Sequence, residues 1–481
     1  MTSRMYFNGI DGQTGDYAFP SIEVKELARC IRGEPRDRNG FFLARLLKEF
    51  FDKIKLSPIE GVKPGDLQQT GWGVVFPENR MAELKGALKP LLDHRREQVG
   101  SLYREMTVAT NEACYDFLYR GGTTMLPIDP EKMPYYLLLV GGPEEIPYEF
   151  QFNLDLQHAV GRIYFDTLEE YTNYAHNVIR AESQTSLPKP PQAAFFGPRH
   201  DGDVPTDLSC RHLVEGLAAA MGGAFGGQLK TSTYARDWAS KITLKRLLGG
   251  DLTPQLLFTA THCHLLAHDH PQQSYDHGAL LCAEWPGPSQ WRKRSVPPEF
   301  FFAGRDVAPD ADLTGLIAFI FGCCSGGSPR YSHFPHEPGT PSKTLAQKPF
   351  VSRLPMRLLA APKGCAAVVA HVDSAYLWSF TDWQEREQTQ LYRQCLLRLL
   401  KGLPLGWAVE SFHHAYANRR LQYEEVRQKE IDYPGSYKRD DLRLAHLWFS
   451  VNDLRNFLIL GDPAVSLGLR LSPKEGDLSE P

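Results

Sequence analysis

The sequence predicts an α/β fold in which a mostly parallel sheet is covered by helices on both faces, with a smaller α/β section ahead of it. Three observations predict this. Apolar runs such as Leu256-Leu257-Phe258 and Leu316-Ile317-Ala318-Phe319-Ile320-Phe321 have the length and bounded character of fully buried strands. Such runs alternate with helical stretches through the later part of the chain, as βαβ units do. The length of 481 residues is enough for one large core or two, with two domains as the default expectation.

Bulk properties narrow the function classes. The composition, 42% hydrophobic and 23% charged, is that of an ordinary globular protein. A net charge of −4 with no dense basic stripe gives no reason to expect nucleic acid as a partner. The longest wholly apolar stretch is far short of a membrane span. Met1-Thr2-Ser3-Arg4-Met5-Tyr6 runs into mixed polar sequence without a signal-peptide core. The nine cysteines are an odd, scattered set that includes the vicinal Cys323-Cys324, which argues against a secreted disulfide framework. The expectation is a cytoplasmic protein.

The elements follow in order. Residues 1–125 read as an α/β scaffold section without a chemical motif. It holds a short strand and turn at 6–12, helical apolar spacing over 41–51 and a strand at 71–77 stopped by Pro77. A helix capped by Asn79 then runs through Leu92, with Arg95 and Arg96 near its carboxyl end. Residues 126–185 begin with a buried strand ending at Gly141-Gly142-Pro143, pass Asp155 and Gly161-Arg162-Ile163, and close with a helix over 168–181. The polar, proline-rich stretch 183–192 is the best boundary. The section 186–471 alternates strands at 193–197, 228–231, 256–264, 278–282, 316–321 and 365–372 with helices at 206–221, opened by Thr206 or Asp207, 237–248 and 350–361. Two more helices, at 383–401 and 405–423, precede a strand and turn at 457–464. Residues 472–481 read as a frayed tail. No internal repeat is evident.

Two of the apolar runs break off at reactive side chains, His262 and Cys323. Catalysts in open α/β sheets sit just beyond the carboxyl ends of strands. If these strands are parallel neighbours, a thiol and an imidazole emerge side by side, the nucleophile and base of a cysteine peptidase. His262 precedes Cys323 by 61 residues (323 − 262), and the thiol sits in Gly322-Cys323-Cys324-Ser325-Gly326. This order and spacing resemble the caspase–gingipain group of cysteine peptidases, to which CHAT-type proteases are related. The progression Leu137-Leu138-Leu139-Val140-Gly141, Ile146-Pro147, Gly161-Arg162-Ile163 resembles the same group, as does Gly461-Asp462-Pro463-Ala464, so with the His262 and Cys323 segments the likeness touches four places over residues 135–465.

The resemblance implies a caspase-like fold and an endopeptidase that needs no cofactor. In it Cys323 attacks the peptide carbonyl, His262 manages the proton, and the backbone amides of Cys263 and Cys323 hold the oxyanion. The group normally has Gly after its His, where this chain has Cys263; that departure matters if the position needs positive φ. The Ser325-Gly326-Gly327 tail offers further amides near the nucleophile. Asp155 matches a position that can accept a basic substrate side chain, although a turn or capping role fits it as well. Asp373, at the end of its strand, suits orienting His262, lining the pocket or capping the next segment. Cys324 is the alternative nucleophile, His264 a weaker competitor for the base, and a buried core histidine or cysteine the plainer reading of each. The long loop 326–349, carrying Arg330, Lys343 and Lys348, suits control by cleavage. A protein or peptide substrate is implied, along with a regulatory protein partner by analogy. An inactive relative that binds peptides through the same cleft is the alternative, favoured by Cys263. A zinc hydrolase built from His262, Cys263, His264, His268, His270 and His277, with Cys282, Cys323 and Cys324 later, is third, and matches no usual zinc spacing.

Overall fold

The computed structural model describes residues 4–5, 9–18, 21–33, 58–123, 127–183, 190–332, 334, 342–382, 384 and 386–474. The helix expected at 41–51, most of the boundary at 183–192, part of the loop 326–349 and the end of the tail lie outside the described residues.

Among the described residues ten strands form the principal sheet: β1 (Trp72–Pro77), β2 (Tyr103–Val108), β3 (Tyr136–Val140), β4 (Ala159–Ile163), β5 (Gln192–Gly197), β6 (Lys230–Ala235), β7 (Leu256–Ala260), β8 (Ile317–Phe321), β9 (Ala367–His371) and β10 (Phe457–Gly461). Their order across the sheet is β2-β1-β3-β4-β10-β9-β8-β7-β5-β6. Every neighbouring pair is parallel except β9 and β10, which run antiparallel. The sheet is therefore two parallel halves joined at one seam. All residues of β1, β3, β4, β7, β8, β9 and β10 are buried, while the edge strands β2 and β6 are half-exposed. That pattern requires cover on both faces and explains why these strands are apolar runs rather than alternating ones. The mixed α/β, mostly parallel, helix-flanked fold expected from the sequence is the fold observed.

Helices supply the cover. Met81–Val99 packs on Leu168–Glu182, which also meets Arg353–Ala360. Gln390–Leu400 packs on Leu405–Asp432, and Leu405–Asp432 on Asp441–Arg455. Several expectations are corrected. Asn79 caps nothing: a 3-10 turn (Glu78–Arg80) precedes the helix, and no side chain caps its start. The helix expected at 237–248 is Lys241–Leu247, capped by Ser240. The helix expected to end at 423 runs to Asp432, and Asp441–Arg455 was not foreseen. The segment at 278–282 does not join the parallel sheet. Its strand Ala279–Leu281 lies in a second, four-stranded sheet with Phe301–Phe302, Cys263–Leu265 and Ile10–Asp11. This smaller sheet stands directly beyond the carboxyl end of β7. Among the described residues no helix is long and apolar enough to cross a membrane.

Candidate active site

β7 and β8 are direct parallel neighbours, with Leu256 opposite Ile317 and Ala260 opposite Phe321. His262 and Cys323 each lie two residues past these last partners, so they leave the sheet level with one another. Parallel strands are about 4.8 Å apart. The Thr261 amide donates to the Phe321 carbonyl at 3.2 Å and its hydroxyl to the Leu281 carbonyl at 2.7 Å. The chain thus leaves one sheet and enters the other, with His262 held in the gap.

Both nitrogens of His262 are engaged. Nε2 lies 2.8 Å from Asp203 Oδ2, and Nδ1 accepts the Gly9 amide at 3.0 Å. Accepting at Nδ1 leaves the ring proton on Nε2, where it faces the carboxylate. Asp203 is the N-cap of the helix beginning Val204–Ser209 and accepts from the Thr206 amide at 3.3 Å. The Thr206 and Tyr17 hydroxyls also donate to it. Burial acts to raise the Asp203 carboxyl, but His262, Thr206 and Tyr17 outweigh it and bring it from 3.8 down to about 2. Trp285 and Tyr17 set their rings edge-on to the imidazole, with centroids 6.0 and 5.7 Å away. The result is an oriented imidazole walled off from water.

Cys323 is fully buried. Its Sγ accepts the Ala375 amide at 3.2 Å, and burial pushes the thiol well above its ordinary range. Gly9 lies between thiol and imidazole. Its amide is on His262, and a Cβ built on it would stand 3.2 Å from Cys323 Sγ.

The remaining candidates separate clearly. Cys324 has φ +54, and its amide donates to the Asp373 carbonyl at 2.7 Å. Its side chain lines a cavity of about 110 Å³ with Asp11, His277, Lys343 and Ser374. Cys263 begins the strand Cys263–Leu265 and is absent from the described non-glycine residues with positive φ, so no strain accompanies a side chain there. The Ser325 amide donates to the Gly322 carbonyl and the Gly326 amide to His371, at 3.2 and 2.8 Å. Gly327 pairs with Val351. The expectation that this tail offers amides to an oxyanion is corrected for Ser325 and Gly326, whose amides are engaged at the ends of β8 and β9.

The carboxylate on His262 is Asp203, and not Asp373 as one expectation had it. Asp373 has φ +66, is buried, and accepts from the Ser332 hydroxyl and the Ser374 amide. Asp155 stands apart, at the end of the helix Tyr148–Leu154 in the electrostatic reach of Arg162 and Cys114, where burial pushes its carboxyl well up. Arg162 is used structurally, donating to Gln151, Gly141 and Pro147. His264 stacks on Phe301 at 4.3 Å, and burial brings it down to about 4. Of the loop histidines, His268 is exposed while His277 is buried and accepts the Leu266 amide. No three His, Cys, Asp or Glu side chains among the described residues are grouped to hold a metal ion.

Sequence reasoning missed Asp203, Tyr17 and Gly9. Asp203-Val204-Pro205-Thr206 carries the signal of a helix start, an Asp cap followed by proline, and the helix opens there rather than at Thr206 or Asp207.

No protein-family model matches the chain, and no curated protein matches it. Among solved structures, one described as "Structure of Protease" superposes on 87% of this chain and 80% of its own, at 12% identity and a TM-score of 0.45. The Saccharomyces cerevisiae separase–securin complex superposes on 69% of this chain at 10% identity and a TM-score of 0.32. This chain spans 15% of that chain's length.

Proposed function

We propose that the chain is a cysteine peptidase of the caspase–gingipain type whose working groups are Cys323, His262 and Asp203. The observation that carries this reading is His262, held between a buried carboxylate and a peptide amide and level with a thiol on the adjacent parallel strand. In the proposed reaction the Cys323 thiol passes its proton to His262 as sulfur bonds to the substrate carbonyl carbon. The oxyanion collapses, the C–N bond breaks, and His262 returns the proton to the leaving amine. Water then attacks the thioester and regenerates the thiol. Asp203 is a positioning residue that fixes the imidazole tautomer. The amides of Cys263 and Cys323 remain the proposed oxyanion donors.

The test is prolonged exposure to peptide acyloxymethyl ketones ending in Arg, Lys or Asp, followed by mass mapping of the adduct. The expected adduct is on Cys323, lost in Cys323→Ala and His262→Ala, kept in Cys324→Ala and indifferent to EDTA. An adduct confined to Cys324 reassigns the nucleophile. One observation favours a second reading, a cleft that binds peptide without cutting it: Cys323 is covered by Gly9 and its thiol is held neutral by burial. Failure of all three reagents, with no cleavage of a peptide library, in wild type and also in a folded variant whose Cys323 is no longer covered by Gly9, supports that reading and overturns the first.

A further inference from the structure

We propose that the segment from Gly9 fills the cleft as the leaving half of a peptide substrate does, and that the two positions it occupies define the substrate class: glycine directly after the cleaved bond, then a branched apolar residue. This rests on the peptidase reading above.

The Gly9 nitrogen sits 3.0 Å from His262 Nδ1, the separation at which an imidazole hands a proton to a departing amine. The slot around Gly9 favours glycine, through its backbone angle and a tight approach to Cys323. Its φ is +100, and an added Cβ would lie 2.8 Å from Leu265 Cδ1 and 3.2 Å from Cys323 Sγ. The next position is a pocket. Ile10 is fully buried in an apolar cluster with Leu281, Trp285, Val296 and Phe301. It is also paired in parallel with His264, so the segment docks by strand addition, with main-chain bonds for affinity and a side-chain pocket for selection. Beyond it the chain turns at Asp11 and comes back, the Ala18 amide reaching the Gly9 carbonyl at 2.9 Å. On this return Tyr17 meets Asp203, and Lys343 Nζ donates to the Ala18 carbonyl at 3.2 Å. The loop that bears Lys343 thereby clasps the hairpin over the thiol. While the hairpin is seated, no second peptide can take the same bonds. The chain's own segment and a substrate compete for one site.

The experiment uses full-length protein and two readouts. The first is alkylation of Cys323 by iodoacetamide, which requires access but no peptidase chemistry. Ile10→Asp places a charge in the apolar pocket and is expected to speed alkylation by roughly ten-fold or more over wild type. A synthetic peptide with the sequence of residues 9–18 should slow it again, and the same peptide with Ala for its first Gly should not. Lys343→Ala, which removes the clasp, serves if Ile10→Asp lacks a cooperative melting transition; it should speed alkylation less but in the same direction. Unchanged alkylation in a folded variant, or equal protection by the Ala peptide, overturns the proposal. The second readout is cleavage of a peptide library by the released variant. Cuts before Gly followed by Ile or Val support the substrate class, and cuts without that preference overturn it. Accelerated alkylation with no cleavage at all would overturn the peptidase reading while leaving the segment's occupancy of the cleft established.

Discussion

A Cβ built on Gly322 lies 2.5 Å from Cys263 Sγ and 3.0 Å from the Thr261 carbonyl oxygen. Cys263 thus fills the space a side chain at 322 would need. Gly322 and Cys263, the residues before Cys323 and after His262, pack against each other just beyond β8 and β7. The backbone of Cys263 stays in an ordinary strand conformation. Gly322→Ala is expected to cost about 1–3 kcal/mol by overpacking, and Cys263→Gly to lose stability through a small cavity and backbone freedom. The double variant should lose less than the sum of the two, by about 1 kcal/mol, in denaturant titrations. Simple additivity would show that the contact is not what constrains Gly322.

At the scale of the element, the helix starting at Val204 carries its cap into the candidate site. One carboxylate, Asp203, satisfies the Thr206 amide and faces His262 Nε2. Asparagine caps helices as well as aspartate does, so Asp203→Asn should keep the helix start but lose the charge on the imidazole. It is expected to slow Cys323 labelling by roughly ten-fold or more, whereas Asp203→Ala should also lose about 1 kcal/mol of capping. The pH dependence has a definite sign. The folded carboxyl is depressed from 3.8 to about 2, so its contribution is fully present above about pH 4 and is lost as pH falls through 2. The stability gap between wild type and Asp203→Asn should therefore narrow by about 2 kcal/mol between pH 5 and pH 2, measured by denaturation at each pH. A gap that stayed constant would mean the carboxylate is not ionised against His262.

The same helix shows what was legible in the sequence. β7 and β8 were readable because both faces are covered and the strands became unbroken apolar runs, and their shared edge followed from parallel pairing. Asp203 was readable only as a cap, since its contact with His262 spans 59 residues and two elements. Gly9 meets His262 across 253 residues, and nothing in Asn8-Gly9-Ile10-Asp11 distinguishes a cleft-filling strand from a surface turn. The helix Asp441–Arg455 escaped for a different reason: Leu444 through Leu454 are all buried, so no polar face marks a helical period.

At the scale of the whole molecule, the last strand in the chain lies at the middle of the sheet. β10 joins β4 of the first half to β9 of the second, the antiparallel seam. It is anchored by Asp462 just beyond its end, a fully buried carboxylate. Arg95 Nε meets Asp462 Oδ2 at 2.7 Å, Trp72 Nε1 donates to Oδ1 at 2.9 Å, and the Tyr174 hydroxyl accepts the Asp462 amide at 2.6 Å. Arg95 is fastened in turn to Glu182 at 2.7 Å. These partners all belong to residues 72–182, so the end of the chain is locked to its first half while β10 pairs with the second. Neither half can complete its sheet until residues 457–462 have arrived, a long-range arrangement that predicts slow folding after synthesis. It also predicts one cooperative unit. Asp462→Ala leaves Arg95 buried with half its charge partners gone, and breaking a buried pair of this kind costs about 3–5 kcal/mol. The expected result is a single thermal transition at a lower temperature. Amide exchange should rise together in β1, β3 and β4 and in β7, β8 and β9, because the seam is shared. Exchange that rose only in β1, β3 and β4 would show instead that the halves are separate units, with β10 belonging to the second.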